Sequence, residues 1–344
     1  MSSLPGRLLN FKTPPWVLPA FGYAISLASL VWVYWGFDWK PELLRFIRSD
    51  WRWVTVALIA DVAVYFIQAW RWRVLLSPVK RVSYLRSVQA VYVGLFANEV
   101  LPLRSGELIR SYVLGRWTEI PFSVTLSSAV LERLFDGIWL AVGFLVISPF
   151  LDLPGYLINV AYILCGLLLA VAAMLGVVMF GKHHAHAAVS SSRWSATLWH
   201  VVEGLHQMGN SPSFYISAIA SLFYLGMQIA PIYALARGYE LDLPLGAAAV
   251  VLVVLRLGTV LPQAPGNVGG FQFFTVVGLG LFGIDKAIAT GFATAAFMIV
   301  TVPLWLGGLI AVAVTGLKIR DLQAHAQSNL RNTAKDVAGA GSSR

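Results

Sequence analysis

Asn98 to Arg110 reads NEVLPLRSGELIR, which sets Glu99, Arg104, Glu107 and Arg110 around a proline and a glycine in a sequence otherwise soluble in lipid. A lone charge at the centre of a bilayer costs about 3 kcal/mol on insertion scales, and irregular backbone at that depth survives only against protein or a wet cavity. Charges this dense need partners, so the stretch marks a functional site inside a helical membrane bundle.

The rest of the chain agrees with that setting. Of its 344 residues 58% are hydrophobic and only 12% charged, and apolar runs long enough to span recur throughout, which excludes a soluble fold and gives an all-α polytopic membrane protein. The net charge of +9 does not point to nucleic acid, because the basic residues sit in short loops beside apolar runs. Topology and anionic lipid headgroups account for them better. Cys165 is the single cysteine, so no intrachain disulfide can form. The first apolar segment follows Arg7 and Lys12 as a signal sequence would. It is long, aromatic and without a small-residue cleavage site, and reads as a retained span.

Hydropathy predicts six full spans near residues 16–36, 53–76, 122–148, 156–180, 213–236 and 287–316. Between them lie two apolar stretches, about 84–117 and 245–283, interrupted by LPLRSG and LPQAPG. Val100-Leu101-Pro102 with Gly106 is matched 160 residues on by Val260-Leu261-Pro262 with Gly266. Each half then reads as two spans, a broken re-entrant helical hairpin and a third span, and the odd number of crossings makes the second half an inverted repeat of the first. The expected organisation is a membrane domain over 1–320, with repeats at about 16–148 and 156–316, followed by a polar, disordered tail at 321–344.

With both termini in the cytoplasm, Arg71, Arg73, Lys80, Arg81, Arg86, Arg116, Lys182, Arg193, Lys318 and Arg320 fall on the inner side, as the positive-inside bias asks. Lys40, Arg45, Arg48 and Arg52 in the loop 37–52 dissent. Leu43, Leu44, Ile47 and Trp51, like Trp194, Leu198, Val201, Leu205 and Met208, recur at helical spacing. Each set forms either an interfacial amphipathic helix or a face packed on the bundle.

A second charged group lies in the segment 122–148. Glu132 and Asp136 are four residues apart and share a face, while Arg133 and Asp136 are three apart and can pair. Arg104, Glu107 and Arg110, spaced by three, align on the helix that begins after Pro102. Packed together, these groups either neutralise one another as a static ion-pair network or form a headgroup site whose arginines take phosphate bidentately. Helix N-termini after Gly106 and Gly266 would aim free N–H groups at an anion. Gln263, Asn267 and Gln272, set around Pro262, Pro265, Gly266, Gly269 and Gly270, make the second interruption polar but uncharged, unless its glycines merely allow tight helix packing. Arg256 and Asp61 are further charges at membrane depth, placed either in the cavity or snorkelling to an interface.

All six histidines lie outside the predicted spans, which leaves no intramembrane His base. Residues 266–270, GNVGG, lack the Lys and Ser/Thr of a phosphate loop. Glu132 and Asp136 beside Arg133 are charge-balanced rather than tuned for acid–base work. No enzymatic activity, cofactor or metal is expected.

LPLRSGELIR, then LERLFDG, then LPQAPGNVGGFQ together resemble the flippase-like transmembrane domain of the lysylphosphatidylglycerol synthase and flippase family, which includes UPF0104-like integral membrane proteins. The resemblance covers nearly the whole membrane region. It implies movement of a lipid headgroup between leaflets, and points to Pro102, Arg104, Gly106, Glu107 and Arg110, to Glu132, Arg133 and Asp136, and to Pro262, Pro265, Gly266 and Gly269. Family members often carry an acid after the last glycine pair, where this chain has Gln272. The soluble aminoacyl-transferring domain of bifunctional members has no counterpart here, so lipid aminoacylation is not expected.

The expected function is therefore a lipid translocase of the cell (inner or plasma) membrane, in which Arg104, Arg110 and Arg133 hold the phosphate of an anionic or phosphate-bearing headgroup. The alternative is a lipid-binding scaffold that partners a lipid- or glycan-modifying enzyme without transport of its own. A membrane phospholipid or lipid-linked headgroup is the expected ligand, with a second copy of the chain or a separate lipid-modifying enzyme as the further partner, and no nucleic acid.

Overall fold

The computed structural model describes residues 17–101, 105–151, 211–259 and 261–317, with scattered positions between 153 and 173 and at 208–209. All regular structure among them is helical. In chain order the helices are α1 (Val17–Tyr34), α2 (Trp39–Arg48), α3 (Trp51–Leu76), α4 (Tyr84–Val100), α5 (Gly106–Thr118), α6 (Phe122–Ile147), α7 (Pro212–Gly238), α8 (Leu245–Gly258), α9 (Gly270–Gly280) and α10 (Lys286–Thr315). Asp38, Asp50 and Asp285 cap α2, α3 and α10 by accepting from the backbone N–H two residues on, at 3.1, 2.9 and 2.8 Å, which satisfies donors a helix start leaves open.

Six full spans with two re-entrant hairpins and inverted repeats are not what forms. Among the described residues three helices are long and apolar enough to cross a membrane, α3, α7 and α10, and four if α1 and α2 count as one bent span. The physical reasons differ by segment. The run at 16–36 ends at Tyr34 and turns by 83° into α2, whose Lys40, Glu42, Arg45 and Arg48 make it amphipathic rather than apolar. Segment 122–148 does form a helix of 26 residues, α6, but Glu132, Arg133 and Asp136 in its middle deny it a purely lipid-facing surface. The predicted span 156–180 lies largely outside the described residues, as do most of the amphipathic stretch 194–208 and the tail 321–344. The inversion rested on an odd count of crossings in each half, and the described residues do not supply that count.

The bundle is organised around α3 and α7, which make its most extensive helix pairing. Helices α4 and α5 run antiparallel, with Asn98 beside Gly106, Gly94 beside Arg110, and Arg86 donating to the carbonyl of Trp117 at 2.6 Å. This approach is possible because Gly94 and Gly106 carry no side chain: a Cβ on either would run into the other's carbonyl oxygen. One apolar core joins α3, α4, α5 and α6 through Trp72, Val91, Ile109 and Leu131. A second joins α3, α7, α8, α9 and α10 through Ala57, Leu235, Val251, Leu279 and Phe292. The polar groups collect between the two.

Candidate functional site

Six side chains from three helices close an ion-pair ring of alternating sign. Arg71 on α3 reaches Glu132 on α6 at 3.1 Å and is also paired with Asp136. Glu132 turns its other oxygen to Arg110 on α5 at 3.0 Å, and Arg110 lies 2.5 Å from Glu107 one helical turn back. Glu107 pairs with Arg133 on α6, and Arg133 returns to Asp136 at 3.5 Å. Three guanidinium groups and three carboxylates leave no net charge, which is how so many charges are held among apolar helices.

Further contacts fix the ring from outside. Arg71 donates to the Ser221 hydroxyl on α7 at 2.8 Å and lies over the Tyr224 ring, 4.4 Å from its centroid. Arg110 lies over Trp72 at 4.7 Å, and the Trp72 indole N–H donates to Ser128 at 2.8 Å. Ser221 is nine residues into α7, about 13 Å from its start at 1.5 Å per residue. The ring therefore sits well inside a spanning helix.

Its two sides differ. The side chains of Arg71 and Glu132 are wholly shielded and Arg110 is 2% exposed, whereas Asp136, Glu107 and Arg133 are 18%, 28% and 42% exposed. The exposed three border a cavity of about 550 Å³, and Asp61 and Arg256 line the same space. Its other polar walls come from Gln68 on α3, Asn98 and Glu99 on α4, Gln228 on α7 and Asn267, while Leu252, Leu255, Ile299 and Val300 make it greasy elsewhere.

The predicted site residues thus divide by position. Glu107, Arg133, Asp136 and Asn267 face the cavity. Arg110 and Glu132 stand behind them. Gly106 lets α5 approach α4, and its N–H donates to the Asn98 side chain at 2.7 Å. Pro262, Pro265, Gly266 and Gly269 shape the turn ahead of α9 without lining the cavity, and that turn is pinned to α1 by the Ala264 N–H donating to Ser26 at 2.8 Å. Pro102 and Arg104 lie outside the described residues.

At the helix starts, Asn98 accepts from the Gly106 N–H at the head of α5, and Gln272 accepts from the Gly269 N–H just ahead of α9 at 2.8 Å. Gln272 is buried and caps α9, so its departure from the family acid concerns a helix start and not the headgroup wall. Arg71, placed by sequence among the inner-loop charges, is instead a fully buried member of the ring. Its sequence signal was ambiguous: it lies five residues from the end of a continuous apolar helix, three residues after Gln68, another buried polar group.

Comparison with known proteins gives the site a family. The sequence model of the lysylphosphatidylglycerol synthase transmembrane region matches residues 20–308. The chain is 24% identical over 281 residues to the glycosyltransferase AglD of Haloferax volcanii, covering 68% of this chain and 45% of that protein. It is 27% identical over 143 residues to a UPF0104 membrane protein of Methanocaldococcus jannaschii, covering 39% of this chain and 41% of that one. The chain spans less than half the length of these curated relatives.

Proposed function

Because the chain belongs to the family of the lysylphosphatidylglycerol synthase transmembrane region, we propose that it is a lipid translocase, passing a polar, phosphate-bearing headgroup between leaflets while the acyl chains stay in lipid. One observation carries this reading: a charge-balanced ring deep in a membrane bundle presents only one side, Glu107, Arg133 and Asp136, to a cavity of about 550 Å³. A static ion-pair network would have no use for a wet face, whereas a headgroup leaving water needs polar partners along its path. In this proposal Glu107, Arg133, Asp136 and Asn267 meet the headgroup and Arg110 and Glu132 hold them in place. The turn carrying Pro262, Pro265, Gly266 and Gly269 positions Asn267, and Gly106 sets the approach of α5.

The match to part of a glycosyltransferase favours a second reading, a membrane unit that presents a lipid to a partner enzyme without moving it across. Reconstitution separates the two. The full chain in phosphatidylcholine vesicles carrying fluorescent phosphatidylglycerol should expose inner-leaflet label to an impermeant quencher faster than empty vesicles do, and Arg133→Ala should slow it. Equal quenching with and without protein would sink the translocase and leave the presenting role.

A further inference from the structure

Arg256 differs from every arginine of the ring. Arg71, Arg110 and Arg133 each face two carboxylates, but among the described residues no carboxylate oxygen comes within 4.0 Å of Arg256, and its one hydrogen-bond partner is the neutral side-chain carbonyl of Gln228. It lies in the last turn of α8 and lines the cavity.

An arginine in a membrane protein commonly reaches for an interface, and the position of Gln228 argues against that here. Gln228 stands ten residues before the end of α7 and sixteen after its start, about 15 and 24 Å along the helix. Arg256 is therefore held at mid-depth, where a guanidinium without a contacting counter-ion is costly. Its planar fork matches two phosphate oxygens.

Resting on the translocase reading, we infer that Arg256, with Gln228 orienting it, holds the phosphate of the lipid in transit, while the ring arginines stay committed to their carboxylates. The surroundings also select the form of phosphate. Asp61 faces the same cavity and opposes a second negative charge, so a phosphodiester monoanion is accepted in preference to a phosphomonoester dianion. Beside Arg256 the wall turns apolar at Leu252 and Leu255, which suits the glycerol end of a phospholipid.

The test is binding to the full chain in detergent, by calorimetry, with four probes: dihexanoyl phosphatidylglycerol, dihexanoyl phosphatidic acid, dihexanoylglycerol and inorganic phosphate. Phosphatidylglycerol should bind at least about tenfold more tightly than dihexanoylglycerol, about 1.4 kcal/mol by the affinity relation, and Arg256→Gln should erase that preference. A preference kept in Arg256→Gln overturns the assignment. Phosphatidic acid binding as tightly as phosphatidylglycerol overturns the diester choice, and inorganic phosphate doing so gives the site to the free anion. Hydrogen exchange on the wild-type chain guards against a variant that fails to fold: phosphatidylglycerol should slow exchange in the last turn of α8 and around Gln228, and protection confined to α5 and α6 overturns the inference. Vesicle transport is scored separately. Phosphate held at Arg256 with no lipid movement keeps this site and removes the translocase; movement indifferent to Arg256→Gln does the reverse.

Discussion

Arg71 on α3 and Glu132 on α6 meet at 3.1 Å with both side chains completely shielded from solvent, 61 residues apart in sequence. The pair sits on the closed side of the ring, where water cannot replace a lost partner. Removing one member of such a pair strands the other, which typically costs about 3–5 kcal/mol. Arg71→Met should therefore lower stability in detergent by about that much, whereas Arg133→Gln, on the cavity side, should cost less because Glu107 and Asp136 keep Arg110 and Arg71 as partners. Unfolding titrations of the two variants check this. Equal costs would mean that the ring is uniformly wet.

Close approach of α4 and α5 gives a second prediction. A Cβ on Gly94 would meet both the Gly106 carbonyl oxygen and the Cβ of Arg110 at 2.7 Å, and a Cβ on Gly106 would meet the Gly94 carbonyl and the Asn98 side chain. Backbone cannot yield as a flexible side chain can, so Gly94→Ala and Gly106→Ala should each cost about 1–3 kcal/mol through overpacking. Both should also push α5 outward and move Glu107 and Arg110 away from α6. Crosslinking yield between cysteines placed on α5 and α6 reads that displacement directly.

How much of this could be read beforehand depends on what each signal measures. Charges in an apolar run are visible in sequence, so the contributions of α5 and α6 to the ring could be named residue by residue. Arg71 could not, because a charge five residues from the end of a 26-residue helix satisfies a loop assignment as well as a buried one, and only α6 packed on α3 decides. Hydropathy overcounted crossings for a related reason. It averages over a window, and neither the turn at Tyr34 nor the cost of three charges in α6 registers as a break. The pairing of Arg256 with Gln228 joins α8 to α7, a tertiary fact with no local pattern.

The cap of α9 separates fold from headgroup chemistry. Gln272 accepts from the Gly269 N–H at 2.8 Å and is buried, while Gly269 itself has φ of 86°. Gln272→Leu removes the acceptor and leaves a shielded donor unsatisfied, a loss of about 1–3 kcal/mol. Because Gln272 does not line the cavity, the preference for phosphatidylglycerol over dihexanoylglycerol should survive in the folded fraction. Loss of that preference at unchanged stability would place position 272 in the headgroup path after all.

Asp61 supplies the sharpest test of the charge balance in the cavity. It lies ten residues into α3, about 15 Å from the start of a spanning helix, is 6% exposed, and has one oxygen without a hydrogen-bond partner. Among the described residues no arginine contacts it, and its attraction to Arg256 across the cavity competes with an anionic ligand for that guanidinium. Asp61→Asn keeps the shape, removes that competition and relieves an unmet desolvation cost. Two gains should therefore appear together: a higher unfolding midpoint, and tighter binding of dihexanoyl phosphatidylglycerol with no change for dihexanoylglycerol. Weaker phosphatidylglycerol binding in a folded Asp61→Asn would show that the carboxylate meets a donor on the headgroup, and that the cavity recognises more of the lipid than its phosphate.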